Sequence, residues 1–311
     1  MFETFHVPVL LTEAIELLRC RPDGTYLDGT VGGGGHAEAI LQRTAPGGRL
    51  IGIDVDEEAL AAAVVRLAPF GARAVLRRGN FAEMDAITAG LGVEKLDGIL
   101  LDLGVSSHQV KSAARGFGFT FDAPLDMRMD RRRSLKADEV VNSFPPERLE
   151  RIFREYGEET MARRIAKVIA RARQQVPIRT TGQLAAVVAR ARPTGRSGRI
   201  HPATKTFQAL RIFVNDELAN LHRGLAAGIE LLAAGGRIAV ISFHSLEDRI
   251  VKEKFRELAA PCLCPPGMPV CTCGRIPRLR LITRRAVVPT AAETAANPQA
   301  RSARLRVAER I

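Results

Sequence analysis

The fold of this 311-residue chain is decided by the stretch Tyr26-Leu27-Asp28-Gly29-Thr30-Val31-Gly32-Gly33-Gly34-Gly35-His36. An apolar run of strand type covers residues 25–31, four glycines follow, and residues 36–43 alternate apolar and polar types at helical spacing. Without Cβ atoms, the glycine backbone can turn sharply and bring its amides close to a flat ligand. The stretch therefore predicts a strand, a glycine turn and a helix, with a ligand at the carboxyl edge of a parallel sheet.

Two carboxylates indicate the chemistry of that ligand. The next apolar run, 49–53, ends in Asp54, where a carboxylate can accept hydrogen bonds from both hydroxyls of a ribose. Asp28 stands before the glycines, and it would repel a pyrophosphate but attract the ammonium group of S-adenosylmethionine. The pair favours a methyltransferase that uses S-adenosylmethionine over a dehydrogenase.

Further apolar runs predict more strands at 74–77, at 96–103 with Asp102 near its end, and at 235–242. Strands that alternate with helical patterns indicate a doubly wound α/β sheet. The alternation stops after Asp102, so we interpret residues 1–109 and 216–311 as one discontinuous domain and 110–215 as a mostly helical insertion.

Smaller elements follow from local patterns. In the insertion, a helical pattern that is strongly basic on one face covers 147–175, and Thr181 is expected to cap the next helix. Two strands are expected to close the chain, at 279–288 and 303–308.

The charge indicates a polyanionic partner. The net charge is +12, and residues 111–215 hold 22 Lys and Arg against 10 Asp and Glu. Residues 275–311 add nine Arg against two Glu, which suggests a catalytic core flanked by nucleic-acid contacts. Phosphate contacts are predicted for a basic loop, although a solvated face has the same composition; its residues are Arg190, Arg192, Arg196, Arg199, His201 and Lys205.

Cysteine usage and hydropathy bound the location. No run of eighteen apolar residues is present and residues 1–6 do not resemble a signal peptide, so a cytoplasmic protein with reduced cysteines and no membrane partner is expected. Four cysteines in a C-x-C-x₆-C-x-C pattern would hold a structural zinc or lie in a reduced, Pro-rich loop: Cys262, Cys264, Cys271 and Cys273. No metal is assigned to the catalytic site.

Eight motifs spread over nearly the whole chain resemble one family. The motifs are LLTEA (10–14), DGTVGGGGH (28–36), GIDVD (52–56), GILLDLGVSS (98–107), PLDMRM (124–129), YGEE (156–159), HPATKTFQALR (201–211) and ISFHSLEDR (241–249). Together they are similar to the MraW-type bacterial 16S ribosomal RNA methyltransferases. The resemblance implies a class I, Rossmann-like S-adenosylmethionine sheet and methylation of the exocyclic N4 of a decoding-site cytidine. The implied partner is 16S ribosomal RNA in the small ribosomal subunit or a late assembly intermediate.

Carried over position by position, the resemblance implies a set of cofactor-binding residues: Gly34, Gly35, His36, Asp54, Phe81, Asp102 and Gln109. Of these, Asp54 suits the ribose and Phe81 the adenine region, although ordinary packing remains open for Phe81. Asp102 and Gln109 would lie at the methionine end.

The chemistry suggests catalytic candidates. Cytosine N4 is a poor nucleophile because its lone pair is delocalised, and an acceptor for N4–H would localise that pair. Asp102 is the candidate acceptor, and a purely cofactor-binding role is the alternative. Ser242 and His244 would orient the base, or His244 would simply be satisfied at a helix start.

Several contacts and functions remain open at this point. The base would be gripped by Phe117, Phe119, Phe121 or Phe243, with at least two of the first three expected in the core of the insertion. The segment 126–130 would contact RNA or form an internal ion-pair network. A DNA amino methyltransferase is disfavoured because no Pro-Pro-aromatic motif follows Asp102, and a non-catalytic ribosome-assembly RNA-binding protein is the other alternative.

Overall fold

The computed structural model describes residues 8–106, 109–110, 112–191, 201–262, 264 and 272–311. They form two compact units. One comprises the chain up to Gly104 together with Leu218–Ile311, and the other comprises Val105–Glu217. The sequence places the corresponding boundaries at residues 110 and 215.

The first unit is built on a seven-stranded sheet. Its strands are β1 (Thr25–Asp28), β2 (Arg49–Asp54), β3 (Ala74–Arg78), β4 (Leu96–Asp102), β5 (Leu232–Ser242), β6 (Leu279–Leu281) and β7 (Arg304–Arg310). Their order is β3-β2-β1-β4-β5-β7-β6. The pairings within β3-β2-β1-β4-β5 are parallel, whereas β7 pairs antiparallel with β5 and β6. The predicted doubly wound α/β sheet is confirmed.

The described residues include twelve α-helices. They are α1 (Leu11–Leu18), α2 (Gly35–Arg43), α3 (Glu57–Leu67), α4 (Met84–Ala89), α5 (Ala137–Ser143), α6 (Pro146–Gly157), α7 (Ala162–Gln175), α8 (Thr181–Arg190), α9 (Thr204–Asn215), α10 (Glu217–Leu231), α11 (Ser245–Ala259) and α12 (Ala291–Ala296). Helices α5 to α9 belong to the second unit. None of the helices in the described residues is long and apolar enough to span a membrane.

Both faces of the sheet are buried, as expected for parallel strands. Successive strand residues point to opposite faces, so neighbours join different cores. Leu100 packs with residues of α1 and α2, whereas Leu101 packs with residues of α10 and α11. The central strands are therefore fully enclosed, and their carboxyl ends are where polar residues appear.

Two expected elements differ from the observed ones. The strand predicted at 279–288 ends at Leu281, because the amides of Ile282 and Thr283 both donate to the carbonyl of Val307, at 3.0 and 3.2 Å, and the regular ladder is lost. The helical pattern of 147–175 is two helices, α6 and α7. They are separated at Glu158, whose left-handed backbone (φ 46°) ends α6.

The cap of α8 is Thr180 and not Thr181. Its hydroxyl accepts a hydrogen bond from the Gln183 amide at 3.3 Å, and the Gln183 side chain accepts from the Thr180 amide at 3.1 Å, which is a capping box. Thr181 instead donates to the Phe121 carbonyl and accepts from the Ala123 amide. The prediction was one residue late because two adjacent threonines both suit a cap.

The second unit has its own apolar core around residues such as Phe153, Ile165 and Leu210. A buried amide holds its loop 127–129 in place. Asn215 donates through Nδ2 to the Met127 carbonyl and accepts through Oδ1 from the Met129 amide, both at 2.7 Å. The PLDMRM motif is thereby fastened to the end of α9.

Candidate cofactor and active site

Three aspartates occupy the last positions of three neighbouring parallel strands. Asp28 ends β1, Asp54 ends β2 and Asp102 ends β4. Because parallel strands end at the same edge of a sheet, the three aspartates lie along the carboxyl edge of this one. We call this edge, formed by Asp28, Asp54 and Asp102, the acidic edge. The chain order reverses between β1 and β4, since β2 and β3 lie beyond β1 while β5 lies beyond β4. Open α/β sheets bind ligands at such a switch point.

The glycine loop is held against the acidic edge by Asp54. Gly32 and Gly34 have φ values of +50° and +82°, a region that side chains rarely adopt. The Gly32 amide donates to Asp54 Oδ2 at 2.9 Å, and the Asp56 amide donates to Asp54 Oδ1 at 2.9 Å. At Gly35, the first residue of α2, a Cβ would lie 2.3 Å from Pro8 Cγ. The turn is therefore specified by glycine and by one carboxylate from the next strand.

Thr30 links the other two aspartates, a role that the sequence analysis did not assign. Its hydroxyl accepts a hydrogen bond from the Asp102 amide at 2.6 Å. Its own amide donates to Asp28 Oδ1 at 3.1 Å. A threonine two positions after a strand-ending aspartate is the signal that would have pointed to it.

His36 lies beside Asp102 inside the first unit. Its Nε2 is 3.1 Å from the Val9 carbonyl oxygen, which can only accept, so this nitrogen carries a hydrogen. Its Nδ1 is 3.6 Å from Asp102 Oδ2. At this distance the two groups form a charge contact only when the imidazole ring is protonated.

Two carboxyl groups of the acidic edge, Asp28 and Asp54, have a raised pKa. Burial, followed by the charges of Asp102 and Asp54, raises the pKa of Asp28 from 3.8 to about 8, against the lowering effect of the Thr30 amide. Burial also raises the pKa of Asp54, although the amides of Asp56 and Gly32 counteract it. A cationic ligand would stabilise the ionised form of these carboxyl groups, and an anionic ligand would destabilise it.

These residues fit S-adenosylmethionine. The ligand offers two positive charges, an ammonium and a sulfonium, together with ribose hydroxyls that a carboxylate can accept. A cationic ammonium would stabilise the ionised form of the buried Asp28, and Asp54 is oriented by two backbone amides. A dinucleotide would bring phosphates to the same carboxylates and would be repelled.

Phe81 lies at the start of the segment after β3, and its ring is packed in the first unit. A Cβ on Gly224 of α10 would lie 2.4 Å from Phe81 Cδ2, so the ring occupies the space that the glycine leaves. This contact agrees with the packing interpretation. The adenine contact stays a prediction.

The turn after β5 is densely hydrogen-bonded. Ser242 donates to the Arg304 carbonyl at 3.3 Å. His244 is the N-cap of α11 and accepts through Nδ1 from the Glu247 amide at 3.4 Å. The Glu247 carboxylate accepts from the Phe243 amide at 2.9 Å. The two predicted base-orienting residues are thus engaged in shaping this turn.

Gln109 belongs to the second unit and is buried. Its side-chain oxygen accepts from the Ser106 amide at 3.0 Å, and its amide donates to the Ser106 hydroxyl at 3.1 Å. These reciprocal bonds close a local turn. The methionine-end role predicted for Gln109 is not tested by them.

The phenylalanines of the insertion divide as expected. Phe117 and Phe119 pack against its core, and Phe119 lies 4.4 Å from His201 and 5.0 Å from Phe207, measured between ring centroids. Phe121 is 60% exposed. The expectation that at least two of the three belong to the core of the insertion is confirmed.

The segment 126–130 forms internal ion pairs. Arg128 binds Asp126 with two hydrogen bonds, of 2.7 and 2.8 Å, and also donates to the carbonyls of Arg131 and Arg133. Arg132 pairs with Asp130 at 2.8 Å. The ion-pair interpretation of this segment is confirmed.

The predicted basic loop lies only partly within the described chain, because Arg192, Arg196 and Arg199 fall outside it. His201 accepts through Nδ1 from the Ala203 amide at 3.2 Å, and Lys205 donates to the Glu158 carbonyl at 2.8 Å. A larger basic surface lies on α7, which holds no acidic residue. Its exposed cations are Arg163, Arg164, Lys167 and Arg171.

The strand order, the glycine loop and the acidic edge define a class I methyltransferase that uses S-adenosylmethionine. A family model described as the MraW methylase family matches residues 3–311, and the chain belongs to this family. Membership confirms the resemblance found from the motifs, and with it the cofactor.

Two relatives match almost end to end. The chain is 56% identical over 309 residues to a protein of Syntrophus aciditrophicus named ribosomal RNA small subunit methyltransferase H, with 99% of this chain and 98% of that protein covered. A protein of the same name from Symbiobacterium thermophilum is 54% identical over 307 residues, with 98% and 96% covered. Among solved structures, an rRNA methylase from Streptococcus thermophilus matches with a TM-score of 0.42 and 11% identity, covering 100% of this chain and 99% of that one.

Proposed function

We propose that this protein methylates the exocyclic N4 of a decoding-site cytidine in 16S ribosomal RNA, with S-adenosylmethionine as methyl donor. The observation that carries the proposal is the acidic edge at the switch point of the sheet, with His36 Nδ1 3.6 Å from Asp102 Oδ2. The relatives named ribosomal RNA small subunit methyltransferase H support the substrate class, because they match over nearly their whole length.

Asp54 and the glycine loop bind the ribose end of the cofactor in this proposal, and Asp28 faces its ammonium group. When bound, the cofactor supplies an electrophilic methyl group on a sulfonium. The raised pKa of Asp28 implies that cation binding displaces a proton from this carboxyl group near neutral pH. Phe81 is the proposed contact of the adenine, and the family resemblance is the support for Gln109 as a contact of the methionine end.

Asp102 accepts a hydrogen bond from N4–H of the target base. This localises the nitrogen lone pair and aligns it for in-line attack, and the proton lost afterwards passes to Asp102. His36 is proposed to take that proton from Asp102 next, through Nδ1, which lies 3.6 Å from Asp102 Oδ2. The base is unpaired or flipped out of its helix, since N4 is otherwise engaged in pairing.

Ser242 and His244 orient the base through the turn that they stabilise. Ser242 links the end of β5 to β7, and His244 begins α11, so a change at either residue displaces Phe243. Phe243 is partly buried, and its ring lies 3.5 Å from where a Cβ on Gly104 would be. In this proposal, Ser242 and His244 act by positioning the turn after β5 and the ring of Phe243.

The test is methyl transfer from labelled S-adenosylmethionine to small ribosomal subunits from cells lacking this protein, followed by nucleoside analysis. N4-methylcytidine is the expected product. Transfer to another nucleoside, with cofactor bound, would contradict the target atom. Cofactor binding without transfer to free 16S RNA, assembly intermediates or subunits would favour the non-catalytic assembly role. Replacing Asp102 by Asn is expected to lower kcat by roughly 100-fold or more while the protein remains folded.

The exposed cations of α7 are the proposed phosphate contacts. Replacing Arg163, Arg164, Lys167 and Arg171 together by Gln should weaken RNA binding and flatten its salt dependence, because each lost phosphate contact lowers the slope of log K against log salt by about 0.7–0.9. Arg256→Gln on the exposed face of α11 is the matched control. An unchanged salt slope would remove α7 from the RNA interface.

A further inference from the structure

Three thiols converge in the segment between α11 and β6. The sulfur atoms of Cys262, Cys264 and Cys273 all lie within 4.8 Å of one another. The sulfurs of Cys262 and Cys273 are 3.8 Å apart. A tetrahedral zinc ion with Zn–S bonds of about 2.3 Å separates two of its sulfur ligands by about 3.8 Å, so this pair has the spacing of two ligands on one ion.

Within the segment, cysteine is the only residue of the types that usually bind zinc. Residues 260–278 contain no Asp, Glu or His. The Cys264 amide donates to the Cys262 sulfur at 3.2 Å, a bond that stabilises negative charge on sulfur.

A metal bridge would have a structural role in the segment 260–278. Its described residues, 260–262, 264 and 272–278, contain no helix or strand, so no regular hydrogen-bond pattern holds them in place. Its far end returns to α11, where the Arg278 amide donates to the Leu258 carbonyl at 2.9 Å, and then enters β6. A bridge near the two ends removes much of the loop entropy that opposes the pairing of β6 with β7.

We propose that Cys262, Cys264 and Cys273 bind a structural zinc ion that closes the segment 260–278 and holds β6 at the edge of the sheet. Cys271 of the C-x-C-x₆-C-x-C pattern lies outside the described residues. The site belongs to the first unit and needs no RNA or methyl donor. A redox disulfide between Cys262 and Cys273 is the competing chemistry, because the same two sulfurs lie close together.

The first experiment measures zinc in the full-length protein, purified under reducing conditions without an immobilised-metal step and after dialysis against excess zinc followed by metal-free buffer. About one zinc per chain is expected. Cys262→Ser and Cys273→Ser should each lower the zinc content by roughly 10-fold or more, since a structural site needs its full thiolate set. Cys20→Ala is the control: burial raises the pKa of the Cys20 thiol to about 12, and this residue lies far along the chain from the cluster.

The second experiment does not depend on the folding of any variant. Cobalt(II) added to the reduced, zinc-depleted wild-type protein should give the intense near-ultraviolet charge-transfer absorption of thiolate ligation, and zinc should displace it. Absence of zinc and of this absorption would overturn the proposal. So would an unchanged zinc content in both serine variants, or a zinc-free protein whose mass before reduction shows a Cys262–Cys273 disulfide.

Discussion

Two groups of aspartates in this chain are treated in opposite ways. At the acidic edge, Asp28, Asp54 and Asp102 stand together, and burial with mutual repulsion raises the pKa of Asp28 to about 8. In the insertion, burial opposes ionisation of Asp126, but the hydrogen bonds from Arg128 lower the pKa of this carboxyl group below its ordinary value. A bound cation would stabilise the ionised form of Asp28, whereas Asp126 is already stabilised by Arg128.

The difference separates a binding site from a structural network. Ionising a buried carboxyl group that no arginine contacts costs free energy. A buried aspartate of this kind at the end of a strand therefore indicates a ligand that brings positive charge. A carboxylate with a bidentate arginine needs no ligand and instead holds its loop in shape. Both groups look alike in the sequence, as Asp residues within short motifs.

The largest expected effect is on the stability of the cofactor-free protein when Asp28 is replaced by Asn. Because the folded-state pKa of Asp28 lies above its ordinary 3.8, the folded protein binds more protons between about pH 4 and 8, and its free energy of unfolding falls as pH rises through that window. Asn keeps the acceptor for the Thr30 amide but cannot ionise. The variant should gain up to roughly 1.4 kcal/mol per pH unit over wild type across this window.

Urea unfolding at pH 5 and pH 8 measures this difference. The variant should also bind S-adenosylmethionine more weakly, which separates its effect from general stabilisation. A wild-type stability that does not fall relative to Asp28→Asn between the two pH values would break the contrast between the two groups of aspartates.

The next effect concerns Asp54. Replacing it by Ala removes the acceptor for the Gly32 amide and the proposed acceptor for the ribose hydroxyls. Charge-assisted hydrogen bonds contribute about 1.5–3 kcal/mol each, so cofactor affinity should fall by roughly 100-fold. Calorimetric titration with S-adenosylmethionine checks it. Asp56→Asn is the control, since Asn can still cap α3 and should leave the affinity nearly unchanged.

A smaller effect is expected in the insertion. Arg128→Ala leaves the partly buried Asp126 without its bidentate partner and should lower the free energy of unfolding by roughly 2 kcal/mol at pH 7. The lowered pKa of Asp126 means that this stabilisation is present above its ordinary value and is lost as pH falls through the folded-state value. The cost of the substitution should therefore shrink well below the ordinary Asp value of 3.8, as urea unfolding at pH 7 and at about pH 2 would show. An equal cost at both would contradict the assigned ion pair.

The smallest effect is expected at Arg132. This side chain is 58% exposed, and exposed ion pairs contribute from zero to about 1 kcal/mol. Arg132→Ala should change the free energy of unfolding by less than about 1 kcal/mol, and added salt should reduce the change further. A loss as large as that of Arg128→Ala would mean that Arg132 has a structural role like that of Arg128.

Much of the sheet was predictable because each of these strands has a local signal, a short run of apolar residues. Continuous apolar runs ending in Asp54 and Asp102, and the four glycines after β1, specify parallel strands and a ligand edge. The break at Glu158 was missed because the helical pattern of 147–175 continues through it, and the short β6 was overextended because the double donation to Val307 involves a distant strand. Neither signal is local.

The candidate site shows the same division. Spacing alone pointed to Asp54, and the charge of Asp28 alone pointed to a cationic cofactor. The hydroxyl of Thr30 on the Asp102 amide and the approach of His36 to Asp102 required the strands to be placed side by side. For His244 the sequence had offered a position at a helix start as one alternative, and the structure places it at the N-cap of α11.

The sequence by itself determined the alternation of strands and helices, the glycine turn and the positions of the acidic residues, because these follow from side-chain type and spacing along the chain. Only the tertiary structure decided which acidic residues are paired and which are crowded, and that three cysteines converge on one point. Burial and repulsion act through space between residues far apart in the chain, so no local pattern reports them. The cysteines are close in the chain, so their pattern already suggested zinc as one of two alternatives, and the structure added the distances between the sulfur atoms.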